Sequence, residues 1–124
     1  MIGIGTDIVE IERVEAVLDR HADRFSARIL CDAELRRFRA STQPARYLAK
    51  RFAAKEAVAK AFGTGIGEAL GWRDMNIDNE PSGAPVVRLS ERAAALLRER
   101  GGRQILLSLA DERAYAVAFA LVLQ

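Results

Sequence analysis

Apolar residues recur at helical spacing in some stretches of the chain and at strand spacing in others. From Ala45 to Phe62 no glycine or proline interrupts a run rich in alanine, lysine and glutamate, the residue types that favour helix. Pro44 suits the first turn of this helix, and Gly63 stands where a left-handed C-cap is expected. The pattern predicts one long central helix that ends at a cluster of glycines.

The amino-terminal stretch predicts a short strand followed by a helix. Isoleucines alternate with glycines over residues 2–5, which predicts a strand to about Thr6 that another strand or a ligand can approach closely. Asp7 falls at the end of this predicted strand, where capping a helix and binding a ligand are both open interpretations. From Ile8 onward apolar residues recur at helical spacing, which predicts an amphipathic helix to about Arg20.

The rest of the chain predicts short helices, a hairpin and two closing strands. These elements are a helix over residues 25–31, a helix over 33–40 capped by Asp32, a hairpin of strands 72–79 and 85–89, a helix over 91–100 capped by Ser90, and strands over 104–110 and 114–123. The last strand is apolar on both faces, so we expect it to be central in its sheet or covered by an oligomer partner.

Length and charge narrow the classes of function. The 124 residues suit a single domain, residues 1–124, and a charged fraction of 29% is ordinary for a soluble protein. The net charge of +2 is unevenly distributed, since residues 1–19 are acidic and residues 20–60 strongly basic. The basic segment over residues 20–60 indicates an anionic partner, namely a phosphorylated ligand, an acidic protein or nucleic acid. Few aromatic residues lie there for base stacking, so we expect no nucleic-acid partner.

The numbers of cysteines and histidines exclude an internal disulfide and a zinc site of the usual type. A single cysteine, Cys31, allows no internal disulfide and fits a reducing compartment. The chain has one cysteine and one histidine in all, so it cannot build a zinc site of the usual type, and a bound metal would be a hard cation on carboxylates. Because no apolar run is long enough to cross a membrane, we expect a cytoplasmic protein with no membrane partner.

The candidate chemistry lies on the central helix. Glu56 and Lys60 are four residues apart and share a face, which a solvated ion pair would explain equally well. The chain has only three lysines, Lys50, Lys55 and Lys60, and all lie in this helix, which favours phosphate contact or proton transfer. If Asp7 joined Glu56, the two carboxylates could hold a divalent cation, and the cation with Lys60 could neutralise a diphosphate.

Two long motifs carry a family resemblance. GIGTDIVEIERV, residues 3–14, and FAAKEAVAKAFGTGIG, residues 52–67, closely resemble the holo-acyl-carrier-protein synthases, the short trimeric branch of the 4′-phosphopantetheinyl transferases. Such enzymes move the phosphopantetheine arm of coenzyme A onto a serine of acyl carrier protein, in support of fatty acid biosynthesis, and release adenosine 3′,5′-bisphosphate. The resemblance implies an α+β fold with an antiparallel sheet packed against a long central helix. It also implies a homotrimer with active sites between subunits.

The resemblance assigns roles by position. Asp7 and Glu56 would bind magnesium on the coenzyme A diphosphate, and Glu56 or a metal-bound water would take the serine proton. Lys60 would steady the diphosphate and protonate the leaving group. The residues implied to bind coenzyme A are Lys60, Gly63, Thr64, Gly65 and Asp111. Those implied to meet the acidic carrier protein are Arg13, Arg20, Arg24 and Arg28. Asp111 departs from the family pattern, because many members have a histidine there that contacts the adenine.

Two rival hypotheses belong to other classes of protein. A non-catalytic basic module that binds an acidic protein or nucleic acid would explain the positive charge of residues 20–60. It gives no role to Asp7 and Glu56, however, because these carboxylates would repel phosphate without a metal. A purely structural oligomer subunit makes Glu56 and Lys60 a surface pair that tolerates alanine. Sensitivity to a chelator separates the enzyme from the basic module.

Overall fold

The chain forms five α-helices and five β-strands in the residues that the computed structural model describes, which are 2–21 and 23–124. In chain order the elements are β1 (Gly3–Glu10), α1 (Ile11–His21), α2 (Asp23–Ile29), α3 (Asp32–Ala40), α4 (Pro44–Phe62), a 3-10 turn (Trp72–Asp74), β2 (Met75–Asn79), β3 (Pro85–Leu89), α5 (Glu91–Glu99), β4 (Gln104–Asp111) and β5 (Tyr115–Leu123).

The strands form two antiparallel sheets. The larger sheet has the order β1-β5-β4, so the closing strand is central, as its two apolar faces predict. The register places Ala118 of β5 opposite Asp7 of β1 and opposite Leu109 of β4. The smaller sheet is the predicted hairpin of β2 and β3. The fold is therefore α+β with antiparallel pairing, as predicted.

The long helix α4 packs directly on one face of the larger sheet. The buried small residues of this contact are Ala53, Ala57 and Ala61 of α4 with Ala116, Ala118 and Ala120 of β5. A Cβ added to Gly3 would lie 1.8 Å from the carbonyl oxygen of Ala61, and one added to Gly5 would lie 2.0 Å from that of Ala57. The backbone of β1 therefore lies against the backbone of α4, and these two glycines allow it.

The central helix is confirmed, whereas the predicted end of the first strand is wrong. Gly63 caps α4 with a φ of 85°, in the left-handed region. β1 continues to Glu10 because it pairs with β5 as far as Tyr115, so Ile8 belongs to the strand and not to the following helix. Asp7 consequently lies inside the strand. The close approach allowed by the glycines comes from α4 and not from another strand or a ligand.

The other elements differ from prediction in small ways. α3 begins at Asp32 with Cys31 as its N-cap, and residues 72–74 form a 3-10 turn instead of the start of a strand. Ser90 caps α5 as predicted, since its Oγ accepts a hydrogen bond from the backbone of Ala93 at 3.2 Å. Both closing strands are confirmed within one residue at each end.

The face of the larger sheet that points away from α4 is apolar and exposed. Its exposed apolar residues include Ile4, Ile8, Leu106, Val117 and Phe119. Ile8 alone is 63% exposed. An apolar surface of this kind is typical of an interaction site. Among residues 2–21 and 23–124, no helix is long and apolar enough to span a membrane.

Candidate active site

Asp7, Glu56 and Lys60 meet where β1 crosses α4. The Lys60 ammonium donates to the carbonyl oxygen of Thr6 at 3.0 Å and to Asp7 Oδ1 at 3.2 Å. The other carboxylate oxygen of Asp7, Oδ2, is buried and has no hydrogen-bond partner within the described part of the chain. A buried charged oxygen is costly without a partner, and a bound cation would supply one.

Glu56 faces the same space one helical turn before Lys60. Burial raises the pKa of Glu56, the negative charge of Asp7 raises it further, and Lys60 partly opposes both effects. Asp7 and Glu56 are therefore close enough for their charges to interact. Two carboxylates that repel each other, one with a free buried oxygen, fit a hard divalent cation.

The site offers these two carboxylates and little else to a metal. No group of three or more His, Cys, Asp or Glu side chains that could hold a metal occurs in residues 2–21 and 23–124. Magnesium is typically held by one or two carboxylates together with substrate phosphates and water. The residues present therefore fit a magnesium ion shared with a phosphorylated substrate.

A cleft opens beside the carboxylates. It has a volume of about 430 Å³, and its lining includes Asp7, Glu56 and Arg13 together with apolar side chains. A second cleft of about 280 Å³ is lined by Val17, His21, Arg24, Phe25 and Arg28, and it shares Val17 and Phe25 with the first. Arg20 is exposed on α1 but is not among the residues that line either cleft. Arg13, Arg24 and Arg28 thus line two adjoining clefts, here called the basic groove, and the first of these contains the carboxylates.

The glycine loop, residues 63–71, follows the last turn of α4, which carries Lys60. Gly65 has a φ of 65° and donates its backbone N–H to the carbonyl of Ala59 at 3.1 Å, while Thr64 Oγ1 donates to the carbonyl of Gly65 at 2.8 Å. A Cβ added to Gly65 would meet no atom within 4 Å. The backbone here is therefore open to a ligand beside Lys60.

Asp111 lies at the other end of α4. Its carboxylate accepts from Arg46 Nη1 at 2.7 Å and pairs with Lys50 Nζ at 3.4 Å, and the hydrogen bond from Arg46 lowers the pKa of Asp111. At 1.5 Å per residue, Lys50 and Gly63 are roughly 20 Å apart along the helix. One chain therefore does not bring Asp111 together with the other residues implied to bind coenzyme A.

The three lysines have three different environments. Lys55 is fully buried, and its ammonium donates to Glu34 Oε1 and to the carbonyl oxygen of Ile29, both at 2.6 Å. Glu34 also accepts from the backbone N–H groups of Cys31 and Ile77. The expectation that clustered lysines serve phosphate or proton transfer therefore does not hold for Lys55.

Sequence reasoning missed this buried ion pair, although a signal was present. Lys55 is seven residues after Leu48 and seven before Phe62, and both of these apolar residues are buried. Residues seven apart lie on nearly the same face of a helix, which places Lys55 on the buried stripe of α4. Glu34 gives no such signal, because an acidic residue in the first turn of a helix is usually explained by capping.

Comparison with known proteins identifies relatives over the whole chain. The family model of the 4′-phosphopantetheinyl transferase superfamily matches residues 3–120. A holo-[acyl-carrier-protein] synthase from Shewanella amazonensis is 53% identical over 98% of this chain and 98% of its own length.

Two solved structures have the same fold. The holo-[acyl-carrier-protein] synthase of Neisseria meningitidis matches with a TM-score of 0.95 and 40% identity over the full length of both chains. The enzyme of Helicobacter pylori, in complex with coenzyme A, matches with a TM-score of 0.84 and 30% identity over 96% of this chain and 98% of that one.

Proposed function

The chain belongs to the 4′-phosphopantetheinyl transferase superfamily. We propose how its own residues carry out the transfer of phosphopantetheine. The enzyme moves the phosphopantetheine group of coenzyme A to a serine of apo acyl carrier protein and releases adenosine 3′,5′-bisphosphate. Its product, the holo carrier protein, serves fatty acid biosynthesis. With a single cysteine, Cys31, the chain fits the reducing conditions of the cytoplasm, where we propose that it works.

One observation carries the proposal, namely the meeting of Asp7 and Glu56. The charge interaction between them and the unpartnered Oδ2 of Asp7 indicate a cation site, and we assign both carboxylates to magnesium. When bound, magnesium would neutralise the diphosphate of coenzyme A and stabilise the charge that develops during transfer. A non-catalytic basic module gives these two carboxylates no such role.

Glu56 and Lys60 carry the proton transfers in this proposal. The carrier serine oxygen forms a bond to the phosphorus nearer the pantetheine, and the bond from that phosphorus to the bridging oxygen of the nucleotide breaks. Glu56 accepts the serine proton, a role that suits a carboxylate whose pKa is raised. Lys60, held beside Asp7, binds the diphosphate and donates a proton to the leaving phosphate. In this proposal Gly63, Thr64 and Gly65 line the nucleotide, and the backbone at Gly65 is open to it.

The basic groove is the proposed docking surface for the carrier protein. Arg13 lines the cleft that contains Asp7 and Glu56, and Arg24 and Arg28 line the adjoining cleft. Arg20 would add positive charge from the neighbouring surface of α1. An acidic carrier protein docked here would present its serine to Glu56, because the first cleft of the basic groove contains the carboxylates.

We further propose a homotrimer built on the exposed apolar face of the larger sheet. An assembly with active sites between subunits would let Asp111 of a neighbouring subunit approach the glycine loop that it cannot reach within one chain. Sedimentation equilibrium should give a trimer mass, and Phe119→Asp, which puts a charge on this face, should give smaller species. A wild-type monomer at micromolar concentration would contradict the trimer.

Removal of either carboxylate tests the proposed function. Asp7→Ala and Glu56→Ala should keep the wild-type circular dichroism spectrum but lose transfer at low millimolar magnesium, because a hard-cation site with two protein ligands cannot spare one. Glu15→Ala, an exposed acidic residue of α1, is the matched control and should retain activity. Wild-type turnover by either site variant, or transfer that resists a chelator, would contradict the metal assignment.

A further inference from the structure

Two arginines, one within α5 and one at its C-cap, hold the glycine loop and the residue before it from outside the site. Arg100 Nη1 donates to the carbonyl oxygen of Phe62 at 2.9 Å, immediately before Gly63. Arg92 Nη1 donates to the carbonyl oxygen of Glu68 at 2.8 Å, near the other end of the loop. Since both acceptors belong to the backbone, these contacts fix the path of the loop and not a particular side chain.

Arg92 is itself firmly anchored. Its Nε donates to Asp74 Oδ1 at 3.0 Å, and its Nη2 donates to Asp74 Oδ2 at 2.6 Å. The side chain of Asp74 is only 11% exposed, and it also accepts from Ser90 Oγ at 2.7 Å and from the backbone N–H of Gly71 at 2.8 Å. Two parallel hydrogen bonds to one carboxylate make a geometrically specific pair. Asp74 therefore joins the end of the glycine loop to the start of α5 through Arg92.

Asp74 is ionised at neutral pH, since its pKa is lowered. Burial alone would raise the pKa of Asp74, but the hydrogen bonds from Arg92, Ser90 and Gly71 hold it below its usual value. The link between Arg92 and the loop therefore persists at neutral pH.

The middle of the glycine loop has free space around its backbone, whereas the ends of the loop are held by hydrogen bonds. A Cβ added to Gly65 or Gly67 would meet no atom within 4 Å, so the backbone between the two anchors faces open space. A short segment with fixed ends and an open middle presents its backbone groups in a preset shape. Preorganisation of this kind strengthens binding, because less ordering remains to be done when the ligand arrives.

We propose that Arg92 is a positioning residue for coenzyme A, which holds the glycine loop in the shape that receives the nucleotide. Arg92 acts through the carbonyl of Glu68 and through Asp74, without contact to the substrate. This role rests on the proposed function, in which the loop lines the nucleotide.

The test separates nucleotide affinity from turnover. Arg92→Met keeps the length of the side chain but removes every donor, so the KM for coenzyme A should rise by about tenfold, the scale of one lost hydrogen bond to a charged group. kcat and the KM for the carrier protein should stay close to the wild-type values. Asp74→Asn should give a smaller rise by weakening the anchor, and Arg92→Lys should recover part of the loss.

Arg37→Met is the matched control for a purely structural effect. Arg37 is 48% exposed against 57% for Arg92, and it pairs with Asp78 at 2.7 Å between α3 and β2, away from the glycine loop. Both variants lose a guanidinium–carboxylate pair, but only Arg92→Met should change the KM for coenzyme A. An unchanged KM in Arg92→Met, or equal rises in both variants, would overturn the proposal.

A calorimetric titration makes this result independent of the proposed function. Adenosine 3′,5′-bisphosphate should bind Arg92→Met about tenfold more weakly than wild type, in parallel with the KM. This measurement needs no turnover. Absence of transfer by the wild-type enzyme would contradict the proposed function, whereas equal bisphosphate affinities of wild type and Arg92→Met would overturn only the role of Arg92.

Discussion

Gly5→Ala is the smallest change that tests the contact between β1 and α4. The new methyl group would lie 2.0 Å from the carbonyl oxygen of Ala57, 2.8 Å from the backbone nitrogen of Ala61 and 2.9 Å from Cβ of Lys60. Two of these three atoms belong to the backbone of a helix, so no rotation of a side chain can relieve the contact. Strand and helix must move apart.

Two opposing effects determine how much Gly5→Ala changes the free energy of unfolding. Alanine is intrinsically better than glycine inside a strand by roughly 0.5–1 kcal/mol, which favours the variant. Overpacking of a close-packed interior costs about 1–3 kcal/mol and occasionally more. We expect the upper end of that range, because the closest distance must open from 2.0 Å to the 3.4 Å of an ordinary contact. The net loss in the free energy of unfolding should therefore be about 2 kcal/mol or more.

Urea denaturation followed by circular dichroism measures this loss. Gly67→Ala is the control, since a Cβ there meets no atom within 4 Å and its backbone is not in the left-handed region. This control should equal the wild type in stability or exceed it by up to about 1 kcal/mol. If Gly5→Ala were as stable as the wild type, the backbones of β1 and α4 could not be in contact, and the placement of Asp7 beside Glu56 would lose its basis.

Four further predictions concern the ionisable groups. Lys55→Met leaves Glu34 buried without its partner and should lower the free energy of unfolding by about 3–5 kcal/mol in urea; a loss below about 1 kcal/mol would contradict the buried pair. Because the pKa of Glu56 is raised in the folded protein, its ionisation opposes folding. Glu56→Gln in chelator should therefore be more stable than wild type at pH 7, and this gain should shrink as the pH falls through the raised pKa. Arg13→Glu should raise the KM for the carrier protein much more than that for coenzyme A, and salt should weaken the effect; equal changes would place Arg13 in the nucleotide site. Lys60→Arg should bind coenzyme A almost as well as wild type but turn over at least about 10²-fold more slowly, because guanidinium does not release a proton near neutral pH; a near-normal kcat would make Lys60 a purely electrostatic contact.

Local signals in the sequence predict much of the fold. The uninterrupted helical run, Pro44 and Gly63 define both ends of α4 within a residue, because capping and breaking act over a few neighbouring residues. The end of β1 is not predictable in this way. Ile8 fits the helical spacing that follows it, and only pairing with β5, more than a hundred residues away, keeps it in the strand.

The candidate site is harder to predict from the sequence than the fold is. Residue types and spacing place Glu56 and Lys60 on one helical face, but they give no reason to bring Asp7 across some fifty residues to the same point. Family resemblance supplied that pairing, and the packing of β1 on α4 now gives its physical cause. Arg92 could not be found from sequence, because its role depends on the distance of its guanidinium from the carbonyl of Glu68.

Mass spectrometry of the carrier protein identifies the transferred group directly. Apo acyl carrier protein is incubated with coenzyme A, magnesium and this enzyme, and the intact carrier is analysed by mass spectrometry. We expect the carrier to gain the mass of one phosphopantetheine. The gain should be lost when the acceptor serine is replaced by alanine, and chelator or Asp7→Ala should abolish it. An unmodified carrier protein in the presence of active wild-type enzyme and magnesium, or a modification that persists in Asp7→Ala, would contradict this expectation.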